Sequence, residues 1–194
     1  MDTGDGALAA QAQSGDADAF RILVERHSRS VFRLAFRMTA NEQDAEDVVQ
    51  ETFLRAYKQL SHYESRASFS TWLYRIAANY SLDLIRARKR HQASRDSDSE
   101  EGAGVLDTLP ATSPTPDRLA ISGQVQDRIE AAMGELSELE KSAFVLRHFE
   151  GLSIEDIGAA LGTSSNATKH SIFRAVQKLR RRLQPFMSVQ GEAI

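Results

Sequence analysis

Apolar residues recur at spacings of three and four along most of the chain, and no stretch of useful length alternates as a strand would. Asp16 is placed to cap a helix that carries Phe20, Leu23, Val24, His27, Val31, Leu34, Ala35 and Met38. Asn41 opens the next helix, whose stripe is Ala45, Val48, Val49, Thr52, Phe53, Ala56, Tyr57 and Leu60. After the turn-rich stretch Ser61 to Ser68, an aromatic stripe follows: Phe69, Trp72, Leu73, Ile76 and Tyr80. Asn79-Tyr80-Ser81 reads as a break, with Ser81 capping a helix that ends in Arg86, Arg88, Lys89 and Arg90. Periodicity then stops until Val125, Ile129, Met133 and Leu136. Ser137 and Glu140 form the text of a capping box before Leu139, Ala143, Leu146 and Phe149.

The last periodic stretch is a pair of helices. Ser153 caps the first, closed by Asp156, with Ile154, Ile157, Ala160 and Leu161 on one face. Gly162 supplies a left-handed stop. The second helix carries Ile172, Val176, Leu179 and Leu183. Two such helices across a short Gly-containing turn read as a helix-turn-helix. The pattern predicts an all-α protein of two small helical bundles, 15–92 and 118–186, joined by a flexible linker at 93–117. That linker is acidic in its first half and proline-stiffened in its second. Residues 1–14 and 187–194 read as tails, the first of them frayed.

The polar faces sort the candidates for function. In the last helix Lys169, His170, Ser171, Arg174, Gln177, Lys178 and Arg181 lie opposite the apolar stripe, and no acid occurs between Lys169 and Leu183. Such a face fits a major groove, its first half at base edges and its second near phosphates. In the helix from Asn41, the outward face holds Asp47, Gln50, Glu51, Leu54, Arg55 and Lys58, with one leucine among polar residues. Trp72 and its aromatic neighbours beside Arg86, Lys89 and Arg90 suit a single strand, whose bases stack while its phosphates are neutralised. Trp72 reads equally well as core.

Composition narrows the classes. A formal net charge of −3 means that affinity for nucleic acid has to rest on local patches. Cysteine is absent, which excludes disulfides and thiolate metal sites. The five histidines are not at ligand spacing, so no metal or other cofactor is expected. The acids Asp44, Glu46, Asp47 and Glu51 sit on an open helix face, without the shielded cleft that would separate their pKa values for acid-base work. No enzyme is expected. No apolar run reaches the length of a membrane span and the start, MDTGDGALAAQ, lacks a signal-peptide pattern, so a cytoplasmic protein without membrane insertion is expected.

These residues carry a family resemblance. Asp44 to Lys58 resembles the core-polymerase-binding segment of bacterial sigma factors. Phe69 to Ala77, with Asn79 and the basic helix, resembles their promoter-melting segment, and the helix-turn-helix is similar to the domain that reads the upstream promoter element. The two-lobe layout is that of the extracytoplasmic-function (ECF) branch, and the resemblance spans roughly residues 14 to 185. It implies core RNA polymerase and promoter DNA, duplex and single-stranded, as partners. An anti-sigma factor is a further partner that it admits. It assigns Asp47, Gln50, Glu51, Leu54, Arg55 and Lys58 to the polymerase. Trp72, Asn79, Tyr80, Ser81, Arg86, Lys89 and Arg90 go to the downstream (−10) element. Ser165, Asn166, Lys169, His170, Ser171, Arg174, Lys178 and Arg181 go to the upstream (−35) element.

The start of the last helix departs from the family. Where a proline, a glycine and Thr-Val are common, this chain has Ser164-Ser-Asn-Ala-Thr168. Two other readings remain open at this point. A conventional helix-turn-helix regulator would bind duplex DNA alone, and an interaction module or inhibitor with an acidic helix would need no DNA.

Overall fold

The computed structural model describes residues 3–96 and 128–187, and every element among them is helical. The first cluster comprises α1 (Thr3–Gln13), α2 (Ala17–Thr39), α3 (Glu42–Gln59), a 3₁₀ turn (Leu60–His62) and α4 (Phe69–Asp96). The second comprises α5, described over 128–134, with α6 (Glu138–His148), α7 (Ile154–Leu161) and α8 (Ser165–Met187). The expected linker beyond Asp96, Val125 and the tail beyond Met187 lie outside the described residues.

Capping chemistry sets the helix starts. The Asp16 carboxylate accepts from the amides of Asp18 and Ala19 at 2.9 and 3.1 Å, and Asn41 accepts from Asp44 at 2.8 Å. Ser137 and Glu140 complete the reciprocal box, with bonds of 3.2 and 2.9 Å. At Ser153 the hydroxyl accepts from the Asp156 amide at 3.0 Å and donates to its carboxylate at 2.8 Å, so that acid binds the cap hydroxyl rather than a free amide. Gly162 adopts the left-handed conformation, φ 64°, that ends α7.

Leu23, Val31, Leu34, Met38, Val48, Phe69 and Leu73 are buried where α2, α3 and α4 meet. Leu146, Leu152, Ile157 and Ala160 belong to the same buried cluster, so the second set of helices docks on the first. A polar seam edges that contact. Arg37 lies 3.3 Å from Glu150 and 4.2 Å above the Phe149 ring, and Tyr74 bonds the same carboxylate. Burial raises the Glu150 pKa above the usual carboxylate range, against the pull of Arg37.

Three expectations need correction. Residues 3–13 do not fray: they form α1, with Asp5 and Ala9 buried. The Asp5 carboxylate accepts from Arg26 and bonds His27 at 2.6 Å, an anchor 22 residues away along the chain. Helix formation does not stop at Asn79-Tyr80-Ser81, because α4 runs unbroken from Phe69 to Asp96. The Ser81 hydroxyl, fully buried, donates to the Ala77 carbonyl at 2.8 Å, so serine is accommodated inside the helix instead of capping a new one. The boundary expected at residue 92 therefore falls inside α4.

Candidate polymerase and promoter interfaces

On α3, Asp47, Gln50, Leu54 and Lys58 are exposed along one line. Leu54 is 45% exposed, and Tyr57, which the apolar pattern placed in the core, is 60% exposed beside it. The other two candidates of this face turn aside. Glu51 and Arg55 are half-buried and paired at 2.7 Å, and the Arg55 guanidinium lies 4.7 Å over the Tyr80 ring. Both are engaged in the seam between α3 and α4. An apolar groove bordered by Phe32, Val49 and Gln50 adjoins the exposed line.

The second surface is a cavity of about 350 Å³ between the loop 62–67 and α4. Trp72, Arg75, Ile76 and Asn79 line its helical side, and Tyr63 lines the loop side. Trp72 is half-buried, its ring 5.1 Å from Tyr63 and 5.6 Å from Phe69, which leaves part of the indole at the cavity. Ser65 holds φ at 56°, an uncommon conformation for a residue with a side chain. Tyr80 is half-buried under Arg55 and Ser81 is buried, so neither belongs to this cavity as expected. Further along α4, Lys89 and Arg86 lie 2.6 and 3.7 Å from Glu138 at the start of α6. Arg88 is 2.6 Å from Asp44, whose pKa burial raises despite that cation, and Arg90 is exposed.

The third surface is α8. Its buried side is Thr168, Ser171, Ala175 and Leu179: Leu179 lies there as expected, but Ser171 and Ala175 take the places of the expected Ile172 and Val176, which with Leu183 are only half-buried. Small residues at this contact let α8 approach α7 closely. A Cβ on Gly158 would stand 2.8 Å from the Thr163 carbonyl oxygen and 3.3 Å from the Thr168 hydroxyl. Ser171 is therefore a packing residue, 1% exposed, and not a DNA contact as expected. The rotation turns Phe173 outward, 62% exposed, among Lys169, His170, Arg174 and Gln177, all exposed, with Ser165 and Asn166 at the helix start. Lys178 is drawn inward to Glu140 at 2.6 Å, Arg174 lies 3.3 Å from the same carboxylate, and Arg181 is exposed. Burial pushes the Glu140 pKa up, but Lys178, the Ser137 amide and Arg174 together outweigh it and hold it below the usual range.

Two family models match in this order: Sigma-70 region 2 over residues 23–91 and Sigma-70 region 4 over residues 126–179. The ECF RNA polymerase sigma factor SigW of Bacillus subtilis is 31% identical over 175 residues, 90% of this chain and 94% of that protein. The ECF sigma factor SigE of Mycolicibacterium smegmatis is 36% identical over 158 residues, 81% of this chain, which spans only 59% of that relative's length. The chain belongs to the ECF sigma factors. Among solved structures, CnrH in complex with the cytosolic domain of CnrY is similar, with TM-score 0.66 and 29% identity over 93% of this chain and 97% of that one.

As a sigma factor with regions 2 and 4, it directs RNA polymerase to promoters and is not itself an enzyme. Region 2 covers α3, the cavity and most of α4; region 4 covers the helix-turn-helix. Among the described residues no helix is long and apolar enough to cross a membrane. Tyr57, Arg75 and Phe173 were missed by pattern reading. The signal for Phe173 was available, since a phenylalanine next to an arginine in a basic helix breaks the polar face. For Tyr57 and Arg75 only the packed helices reveal the position.

Proposed function

We propose that the three surfaces divide promoter initiation between them. The exposed line of α3, Asp47, Gln50, Leu54 and Lys58 with Tyr57, docks on core RNA polymerase. Glu51 and Arg55 support that face from the seam. The exposed side of α8 enters the major groove of the upstream element. There Lys169, His170 and Arg174 reach base edges, Phe173 meets a thymine methyl group, and Ser165, Asn166 and Arg181 meet phosphates. Lys178 joins them only by leaving Glu140.

The cavity beside Trp72 carries the reading furthest, because it combines an aromatic wall, an amide and cations in a space of about 350 Å³. One base of the separated non-template strand turns into it. Trp72 offers a stacking surface, the Asn79 amide a donor and an acceptor for the base edge, and Arg75 a charge for the backbone. Unstacking a base costs a few kcal/mol, which stacking worth about 1–3 kcal/mol per base offsets. Arg86, Lys89 and Arg90 then follow the strand. CnrH is solved with the cytosolic domain of another protein, CnrY, which supports a protein partner for this chain beside the polymerase, a role that the family resemblance gives to an anti-sigma factor. Its place of work is the cytoplasm, with the polymerase.

The test is transcription with core polymerase from a promoter library randomised across the downstream element. Asn79→Ala should change preference at one base there and leave upstream preference intact. Equal loss on every promoter, with a lowered melting temperature, would make Asn79 a structural residue and remove the cavity from the mechanism.

A further inference from the structure

The loop wall of the cavity is held from outside region 2. The Gln13 side-chain amide, at the end of α1, donates to the carbonyls of Leu60 and Tyr63, both at 2.8 Å. The Tyr63 carbonyl lies just past the 3₁₀ turn, where helical partners run out, and the Leu60 carbonyl, which opens the turn, also accepts from the Tyr63 amide at 3.0 Å. One primary amide has two N–H donors, and here both are used across 47 and 50 residues of sequence. Tyr63 passes the constraint on. Its ring is buried, 5.1 Å from Trp72, and its hydroxyl donates to the Ala67 carbonyl at 2.9 Å, closing the loop that carries Ser65. The other end of α1 is fixed by buried Asp5 on Arg26 and His27, so Gln13 acts from a fixed support.

We propose that Gln13 is a positioning residue for single-strand capture, setting the Tyr63 wall at a fixed distance from Trp72 and Asn79 before the base arrives. This rests on the reading of the cavity as a base site. A loop that had to be ordered on binding would lose affinity to that ordering for every base, and a loop free to move would re-pack around a base that fits less well, so that discrimination falls. Two hydrogen bonds between distant segments remove that cost in advance. Gln13 touches no nucleic acid itself.

Gln13→Glu keeps the length and removes both donors, Gln13→Ala removes them without adding charge, and Gln13→Lys keeps donors. Each full-length variant is assayed with core polymerase on the library randomised across the downstream element, beside Asn79→Ala and a thermal melt. Loss of two modest hydrogen bonds corresponds to about five- to a hundredfold. Gln13→Glu and Gln13→Ala should lose discrimination by that factor at the position Asn79→Ala affects, keep upstream preference, and differ from Gln13→Lys, which retains discrimination. If Asn79→Ala shifts a base preference and neither donor-free variant does, the Gln13 role is wrong while the cavity reading stands. A uniform loss on all promoters, tracking the melting temperature, likewise reduces Gln13 to a structural contact. If Asn79→Ala shifts no preference, the cavity reading falls and the Gln13 role falls with it.

Discussion

Leu54 and Phe173 are large apolar side chains for which the folded chain has no internal use, at 45% and 62% exposure. Single exposed apolar residues are ordinary. These two gain weight from their settings, a polar line on α3 and a cationic face on α8. Leu54→Glu should reduce retention of core polymerase in a pull-down while the melting temperature hardly moves, since surface changes usually cost within about 0.5 kcal/mol. Undiminished retention by the folded variant would remove Leu54 from the contact. Leu54 was legible as an exception in the heptad-like pattern. The burial of Ser171 was not, because a serine on the polar side of a stripe gives no sign that small side chains are needed where two helices meet closely. Here the small side chains Thr168, Ser171 and Ala175 take the buried side and the phenylalanine turns out.

That rotation belongs to the element scale, and Gly158 explains it. α7 and α8 meet so closely that Gly158 faces the Thr163 carbonyl and the Thr168 hydroxyl, which itself bonds the Thr163 hydroxyl at 2.8 Å. Gly158→Ala should therefore push the helices apart and cost about 1–3 kcal/mol, visible in a thermal melt, with weaker upstream-element binding. A melting temperature equal to that of the parent would mean that the turn shifts freely. Helix starts were the most legible feature, because Asp16, Asn41, Ser137 and Ser153 act through local bonds that the sequence itself spells. α1 was illegible for the opposite reason. It is held by Asp5 on distant Arg26 and His27 and by Gln13 on a distant turn, and neither is a periodic signal. The false break at Ser81 arose from reading a serine as a cap when its hydroxyl satisfies the carbonyl four residues back.

At the scale of the molecule, the two sets of helices share a buried cluster, and Arg86 and Lys89, the cations proposed to track the strand, face Glu138 of the other set. Capture of a strand along α4 requires Glu138 to leave. Glu138→Gln should raise the affinity of the free chain for a single-stranded downstream-element oligonucleotide, by about threefold for weakened exposed pairs. It should also steepen the salt dependence as phosphates replace the carboxylate. Unchanged affinity and slope in a titration across salt concentrations would show that the pairs do not compete with DNA. No periodicity could have shown this docking, since it depends on side chains far apart in sequence. The all-α class and the order of the functional segments, by contrast, were legible from helical stripes and the helix-turn-helix. In the proposed division of labour one chain, bound to core polymerase, reads duplex at one element and an open strand at the other. Run-off transcription with purified core polymerase and the full-length chain tests it, on promoters altered in one element at a time. Start-specific transcripts that need both elements are expected, the downstream requirement being bypassed when that element is supplied already unpaired with the preferred non-template base. Duplex binding by the chain alone, with no specific transcript on any template, would contradict it.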